Sequence, residues 1–281
     1  MKKVNIIGVP EHFNLPWHLA IEDGAFEARG IDLRWTDIPE GTGRMCRLLE
    51  QGDTDLAIIL TEGLVKSISE GNPAKIVQEF ISSPLQWGVH VAANSAFKHL
   101  DELELAKAAI SRYGSGSHLM AYVNAQNNGW NTDALQFEVI HNLAGAVEGL
   151  TAGSADYFMW EHFTTKPLVD QGTFRRLGDC PTPWPCFVVA ATDAFIKEHS
   201  SVLRHILEVI NLYTTEFKQI PSIDRTLANG YGQQVEDIRE WLTMTYWSQS
   251  QIKTQTLDIV QNKLFDLKLI NNTIDSGKII L

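Results

Sequence analysis

Cysteine is scarce in this chain: three residues among 281, at Cys46, Cys180 and Cys186. An odd number cannot all pair, and no Cys-x-x-Cys spacing occurs, so a disulfide framework is not expected. Cys180 and Cys186 bracket a turn holding Pro181, Pro183 and Pro185, and reduced, structural thiols are the expectation there too. Long apolar runs are also lacking. No segment approaches the roughly 18 residues that a membrane span needs, so no direct insertion into a membrane is expected. Positive charge is in deficit, with 23 Lys and Arg against 34 Asp and Glu and a net charge of −11. The basic residues are scattered, which argues against nucleic acid as a partner. Metal-ligating patterns and the Gly-x-Ser-x-Gly elbow are missing, so neither a metal, a cofactor nor a paired nucleophile is expected. The opening Met1-Lys2-Lys3-Val4 is basic, but its apolar stretch stops at Pro10-Glu11-His12, too short for an export signal. With no lipobox either, the chain as given is expected in the cytoplasm, and in the periplasm should a leader precede it.

What is present is an ordinary globular composition, 44% hydrophobic and 20% charged, enough to bury a sizeable core. Val4–Val9 reads as a short strand, followed by a helix that starts at Asn14 and Pro16 and stops at Gly24 or Gly30. Ile31–Ile38 alternates as a second strand, and Gly41-Thr42-Gly43 opens a helix with Met45, Leu48 and Leu49 on one face. Leu56–Leu60 is a fully apolar strand, Thr61 caps a third helix, and Lys75–Ile81 is a fourth strand. Strands alternating with helices imply an α/β fold with a mostly parallel sheet.

The chain then repeats itself. Leu49–Ile58 reads Leu-x-x-Gly-x-x-Asp followed by three apolar residues, and Leu150–Met159 reads the same 101 residues later. Each is a helix end, a glycine stop and an acidic step into a buried strand. Leu135–His141 before the second copy matches Ile31–Ile38 before the first, and a helix start at Ser115–His118 matches the one at Asn14. Two similar lobes follow. Ser82-Ser83-Pro84 is the first crossing between them, leading into the strand Trp87–Ala92. Asp179–Pro185 and the strand Cys186–Ala191 are the return. The expected division is lobe 1 at 1–84 plus 190–281, including helices over Ser200–Ile270, and lobe 2 at 85–189.

This order of elements, the paired Leu-x-x-Gly-x-x-Asp steps and the Gly114-Ser115-Gly116-Ser117-His118 helix start resemble type II periplasmic binding proteins. Within that superfamily the chain is similar to the sulfonate/nitrate/taurine-binding and thiamine-pyrimidine-synthase-like branch. Phe187–His199 is similar to the strand and helix that follow the second crossing there, and Trp160-Glu161 falls where that branch often has an aromatic and acidic pair. The resemblance implies a two-lobed fold, each lobe a mixed, mostly parallel sheet flanked by helices, with two hinge crossings. The chain lacks the run of neighbouring cysteines found in fungal pyrimidine synthases.

Ligands of open α/β sheets sit beyond the carboxyl ends of the strands. The segments there are Glu11–Trp17, Gly41–Gly43, Thr61-Glu62, Ser82–Trp87 with Ser83 and Trp87, Ser111–His118, and Trp160–His162. Ser115, Gly116, Ser117 and His118 start a helix, whose free N–H groups suit an anionic or carbonyl group or are merely capped by the serine. Gly41, Thr42 and Gly43 offer the same from the first lobe. Phe13 and Trp17 suggest a sandwich for a planar ligand with Glu11 or His12 on its polar edge, against the plainer reading of a Trp packed on the sheet. Glu11, Glu62 and Glu161, with Trp160 and His162, imply an acidic lining that disfavours bare inorganic anions. The expected function is a solute-binding protein of the ABC-transporter type, clamping a small polar metabolite of heteroaromatic or zwitterionic character between its lobes. Its partners are that ligand and an ABC permease. The rival is a cytoplasmic enzyme on the same fold, like a thiamine-pyrimidine synthase or a menaquinone-pathway enzyme, with His12, His118 or His162 as acid–base groups.

Overall fold

A computed structural model describes residues 1–281, and these divide into two compact units, Met1–Ser83 with Trp184–Leu281, and Pro84–Pro183. The first stretch of unit 1 forms β1 (Lys2–Gly8), α1 (Leu15–Glu22), β2 (Ile31–Asp37), α2 (Thr42–Gln51), β3 (Leu56–Leu60), α3 (Thr61–Ser69) and β4 (Ala74–Ile81). Unit 2 forms β5 (Gln86–Ala92), β6 (Lys107–Ile110), α4 (Gly116–Asn127), β7 (Gln136–Val139), α5 (Leu143–Ala152), β8 (Tyr157–Glu161), α6 (His162–Asp170) and β9 (Phe174–Pro181). The chain then completes unit 1 with β10 (Phe187–Thr192), α7 (Asp193–Glu198), α8 (Ser200–Glu216), α9 (Ile223–Tyr231), α10 (Val235–Met244) and α11 (Thr254–Asp266).

Each unit holds one five-stranded mixed sheet. Unit 1 has the order β2-β1-β3-β10-β4, and unit 2 has β7-β6-β8-β5-β9. In unit 1 the first three strands are parallel, while β10 runs antiparallel between β3 and β4. Unit 2 repeats this with β5 as the antiparallel strand between β8 and β9. Strand β3 is buried at every position, as a strand covered by helices on both faces must be. The second crossing falls at Pro183/Trp184, earlier than the expected 189/190, because β10 is hydrogen-bonded wholly within the sheet of unit 1.

The sequence repeat now has a physical meaning. Helix α2 stops at Gly52 (φ 73°, ψ 19°) and α5 at Gly153 (φ 73°, ψ 20°), left-handed conformations that glycine adopts without a Cβ penalty. The acidic residue that follows is a strand lock. Asp55 accepts the Asn5 N–H at 2.7 Å, and Asp156 accepts the Lys107 N–H at 2.7 Å. Each aspartate also donates its own N–H back to the same neighbour's carbonyl, at 3.1 Å and 2.9 Å. The carboxylate thus sets the register between β1 and β3, and between β6 and β8. Asp156→Ala is expected to cost about 1–2 kcal/mol in urea unfolding, because its bond is half-buried. Asp55→Ala should cost less, since its bond is exposed. Equal costs would show that the lock does not depend on burial.

Two expectations change. Thr61 is the first helical residue of α3 and not its cap; the capping position is Leu60. Its hydroxyl instead donates to the Pro185 carbonyl at 2.6 Å. Strands β6 and β9 were not anticipated, and residues 179–181 belong to β9. Cys46, Cys180 and Cys186 are all buried thiols. No helix is long and apolar enough to cross a membrane.

Candidate functional site

In unit 1 the carboxyl ends of β1, β2 and β3 open onto Glu11–Trp17, Gly41–Gly43 and Thr61-Glu62. Glu11 is half-buried and precedes a single 3-10 turn, His12–Asn14. His12 is buried against the rings of Phe13, Tyr231 and Trp241, the last at 4.2 Å between centroids. Burial pushes its imidazole down to about 3, so it stays neutral, and its Nε2 has no protein partner. Phe13 packs on Phe187 and Trp241, whereas Trp17 lies fully buried against Phe26, Trp35 and Phe80. The two rings therefore do not form the sandwich suggested by the sequence. Each is consumed by core packing, and Trp17 is a core residue.

Gly41 holds a positive φ of 75° at the start of α2, where no side chain caps the helix. Thr42 is buried where α2 meets α3, and a Cβ on Gly63 would lie 2.2 Å from its Cγ2. Thr42 is thus a helix-packing contact, with Gly43 beside it half-buried. Thr61 and Glu62 anchor the segment after the second crossing. The Thr61 N–H donates to the Cys186 carbonyl at 3.0 Å, and the Trp184 Nε1–H donates to Glu62 Oε2 at 2.8 Å. Glu62 Oε1 is buried with no partner. Burial pushes this carboxyl up to about 7, against the pull of its own backbone N–H and of Trp184. Ser83 accepts the Tyr246 N–H on its hydroxyl at 3.2 Å and takes the Cys186 N–H on its carbonyl.

In unit 2 the corresponding ends are those of β6, β7 and β8. Ser115 caps α4 by accepting the His118 N–H at 3.3 Å, and Ser117 accepts the Ser111 N–H at 3.0 Å. The Ser115 and Ser117 hydroxyls lie 3.1 Å apart, so this is a buried hydroxyl network with Gly116 half-buried between them. His118 accepts the Gly114 N–H on Nδ1, and burial among Tyr113, Tyr122 and Phe137 pushes its imidazole down to about 4. Tyr113, which the sequence did not flag, is 66% exposed at this end.

Trp160 stacks on Phe158 at 5.4 Å and meets Trp87 edge-on at 6.3 Å. Trp87 is buried and its Nε1 has no partner. Glu161 caps α6, accepting the Thr164 N–H at 2.6 Å, and burial raises its carboxyl despite that bond. His162 is the first residue of α6, and its Nδ1 lies 2.8 Å from Asp179 Oδ1 on β9. Burial works against the Asp179 charge, yet the hydrogen bond and charge of His162, with Arg176 and His90, hold the carboxyl below its ordinary value. The acidic lining expected from Glu62 and Glu161 is therefore corrected: both carboxyls are buried, hydrogen-bonded and shifted toward the neutral form. Asp179 and Trp184 are the partners that sequence reasoning missed. The only hint of either was a proline-rich turn nearby.

With this geometry in hand, comparison with known proteins assigns the fold. The Ca3427-like PBP family matches residues 87–180. The chain superimposes with a TM-score of 0.88 on a Candida albicans protein, the CA3427 gene product, described as exhibiting the generic periplasmic binding protein fold. Identity is 24%, covering 98% of this chain and 93% of that one. The alkanesulfonate-binding protein SsuA of Xanthomonas axonopodis pv. citri, solved with MOPS bound, matches with a TM-score of 0.84, 14% identity and coverage of 100% and 98%. A ligand-binding component of an ABC-type import system from Staphylococcus aureus, solved with zinc bound, matches at 0.77, 13% identity and coverage of 100% and 97%. No curated protein sequence matches. The chain has the two-lobed periplasmic binding protein fold, and the structures it resembles include ligand-binding proteins.

Proposed function

We propose that the protein is a solute-binding protein that closes its two units on one small polar metabolite, heteroaromatic or zwitterionic in character, and delivers it to an ABC permease. The observation that carries this reading is the set of buried polar atoms without protein partners at the strand ends. Among them are three that matter most here, His12 Nε2 and Glu62 Oε1 in unit 1 and Trp87 Nε1 in unit 2. Each such atom costs about 1–3 kcal/mol when left unsatisfied, and a ligand carrying both donors and acceptors offsets that cost. Two of the three flank aromatic rings, which suits a ligand with a flat or apolar body. The neighbours that bind an alkanesulfonate or serve an import system support the same class of role.

The test is mass spectrometry of small molecules released by denaturing the purified protein. One metabolite in near-equimolar yield, recovered unchanged after long incubation and raising the melting temperature when added back, is the expected result. Its conversion to a product during incubation would sink the binding reading and favour an enzyme.

A further inference from the structure

Unit 2 contains a polar cluster between α6 and its sheet, lying at the end of β8 where the proposed ligand would sit. His162 and Thr165 come from α6, His90 from β5, Glu161 from β8, and Arg176 and Asp179 from β9. Thr165 Oγ1 is 3.0 Å from His90 Nε2 and also donates to the Glu161 carbonyl at 2.9 Å. Asp179 Oδ1 is shared between His162 Nδ1 at 2.8 Å and Arg176 Nε at 3.9 Å. Gly88 leaves the room that this arrangement needs. A Cβ there would lie 2.5 Å from the His90 ring and 3.1 Å from Arg176 Cδ.

The charges decide what the open side of His162 offers. Arg176 balances Asp179. His90 is held neutral by burial, its imidazole pushed down to about 4. Glu161 is raised by burial and spends an oxygen on the Thr164 N–H. Arg175 is turned away, donating to the Ser95 and Phe97 carbonyls, and Lys166 pairs with Asp170. No unbalanced negative charge therefore faces the imidazole. Its side chain keeps 11% of its surface exposed. With Nδ1 on a carboxylate, Nε2 is the nitrogen left for a ligand.

We propose that Asp179 is a positioning residue that fixes the His162 ring so that Nε2–H donates to an anionic group of the ligand, which binds together with one proton. This rests on the ligand-binding reading of the β8 end and names the chemistry of one part of the ligand. A neutral His162 keeps its proton on Nδ1, facing Asp179, and presents a lone pair at Nε2. The incoming anion brings the proton that converts the pair to an imidazolium held between two negative groups.

The test uses the full chain with isotope-labelled histidine, following the His162 ring nitrogens by NMR from pH 5 to 9. Methanesulfonate and acetate serve as anionic probes, and methylammonium as the probe of opposite sign. Expected are a neutral tautomer protonated on Nδ1, loss of that tautomer preference in Asp179→Asn, and its recovery in Asp179→Glu. The anions, and not methylammonium, should shift the ring signals, with about tenfold weaker binding in Asp179→Asn at pH 7. A wild-type tautomer protonated on Nε2, or Asp179→Asn ring-nitrogen signals identical to wild type, overturns the positioning role whatever the protein binds. An intact pair that answers methylammonium or no probe at all overturns the anion assignment. The binding reading itself is tested separately, by whether a metabolite is released and recovered unchanged.

Discussion

Replacing Glu62 by glutamine is expected to shift folding stability in the variant's favour by about 2.5 kcal/mol between pH 5 and pH 8. Burial raises the Glu62 carboxyl from 4.5 to about 7, so the folded protein keeps a proton that the unfolded chain releases. A raised acid of this kind stabilises the fold fully below its unfolded value. It loses that contribution as pH climbs through its folded value. Wild-type stability from this group is thus present at pH 5 and almost gone by pH 8. Glutamine cannot ionise and carries no such dependence, while its amide oxygen still accepts the Trp184 indole N–H.

The comparison is made by urea unfolding of both proteins at the two pH values. Other titrating groups, including the buried His12, His90 and His118, shift stability in the opposite direction as the solution becomes acidic. They do so equally in both proteins and cancel in the difference. A Glu62→Gln effect that is the same at pH 5 and pH 8 would show that the carboxyl is not held in its neutral form. The position matters beyond stability. Glu62 and Thr61 together hold Trp184, Pro185 and Cys186, the root of the second crossing. A proton on or off Glu62 is a charge placed at that root.

What the sequence made legible was local. Gly52 and Gly153 announce helix ends because left-handed backbone needs glycine, and Asp55 and Asp156 sit at a fixed distance after them. That spacing is a consequence of the parallel pairing to β1 and β6, so it survives in both copies. Strand β9 was not legible. It is an edge strand with a register shift against β5, and Arg175, Arg176 and Asp179 interrupt any apolar alternation. Trp17 was misread because an aromatic near a strand end has the same sequence context whether it points into the core or at a ligand. Glu62 read as part of an acidic lining, since its partner Trp184 is distant in sequence. Asp179 could not be paired with His162 before β9 was known to exist. The fold follows from short-range rules, whereas the site depends on side chains brought together from separate strands.

The repeat also contains one position where the two copies differ sharply, and Gly145→Ala is expected to destabilise unit 2 by about 3 kcal/mol. A Cβ at Gly145 would stand 1.9 Å from the Ile140 carbonyl oxygen and 3.0 Å from its carbon. Backbone cannot swing aside as a side chain can. Ile140 is itself fixed, donating its N–H to Ile110 and accepting that of Asn142. Its side chain lies in the unit 2 core with Ala146, Leu150 and Phe158. Alanine is the better helix former by about 1 kcal/mol, but that gain is smaller than the cost of moving α5 off its strand. Gly149, one turn later, is the control. There a Cβ would meet only the Ile140 Cγ2 at 3.2 Å and the Ser154 Oγ at 3.4 Å, groups that yield by small rotations, so Gly149→Ala should lie within about 1 kcal/mol of wild type. Urea unfolding of the two variants, followed by tryptophan fluorescence, separates them. If Gly145→Ala and Gly149→Ala unfold alike, the close approach of α5 to the end of β7 is not what requires glycine. Unit 1 carries Arg44 at the matching place in α2, so the requirement belongs to the second copy alone. Steric demand, and not the repeat, placed that glycine.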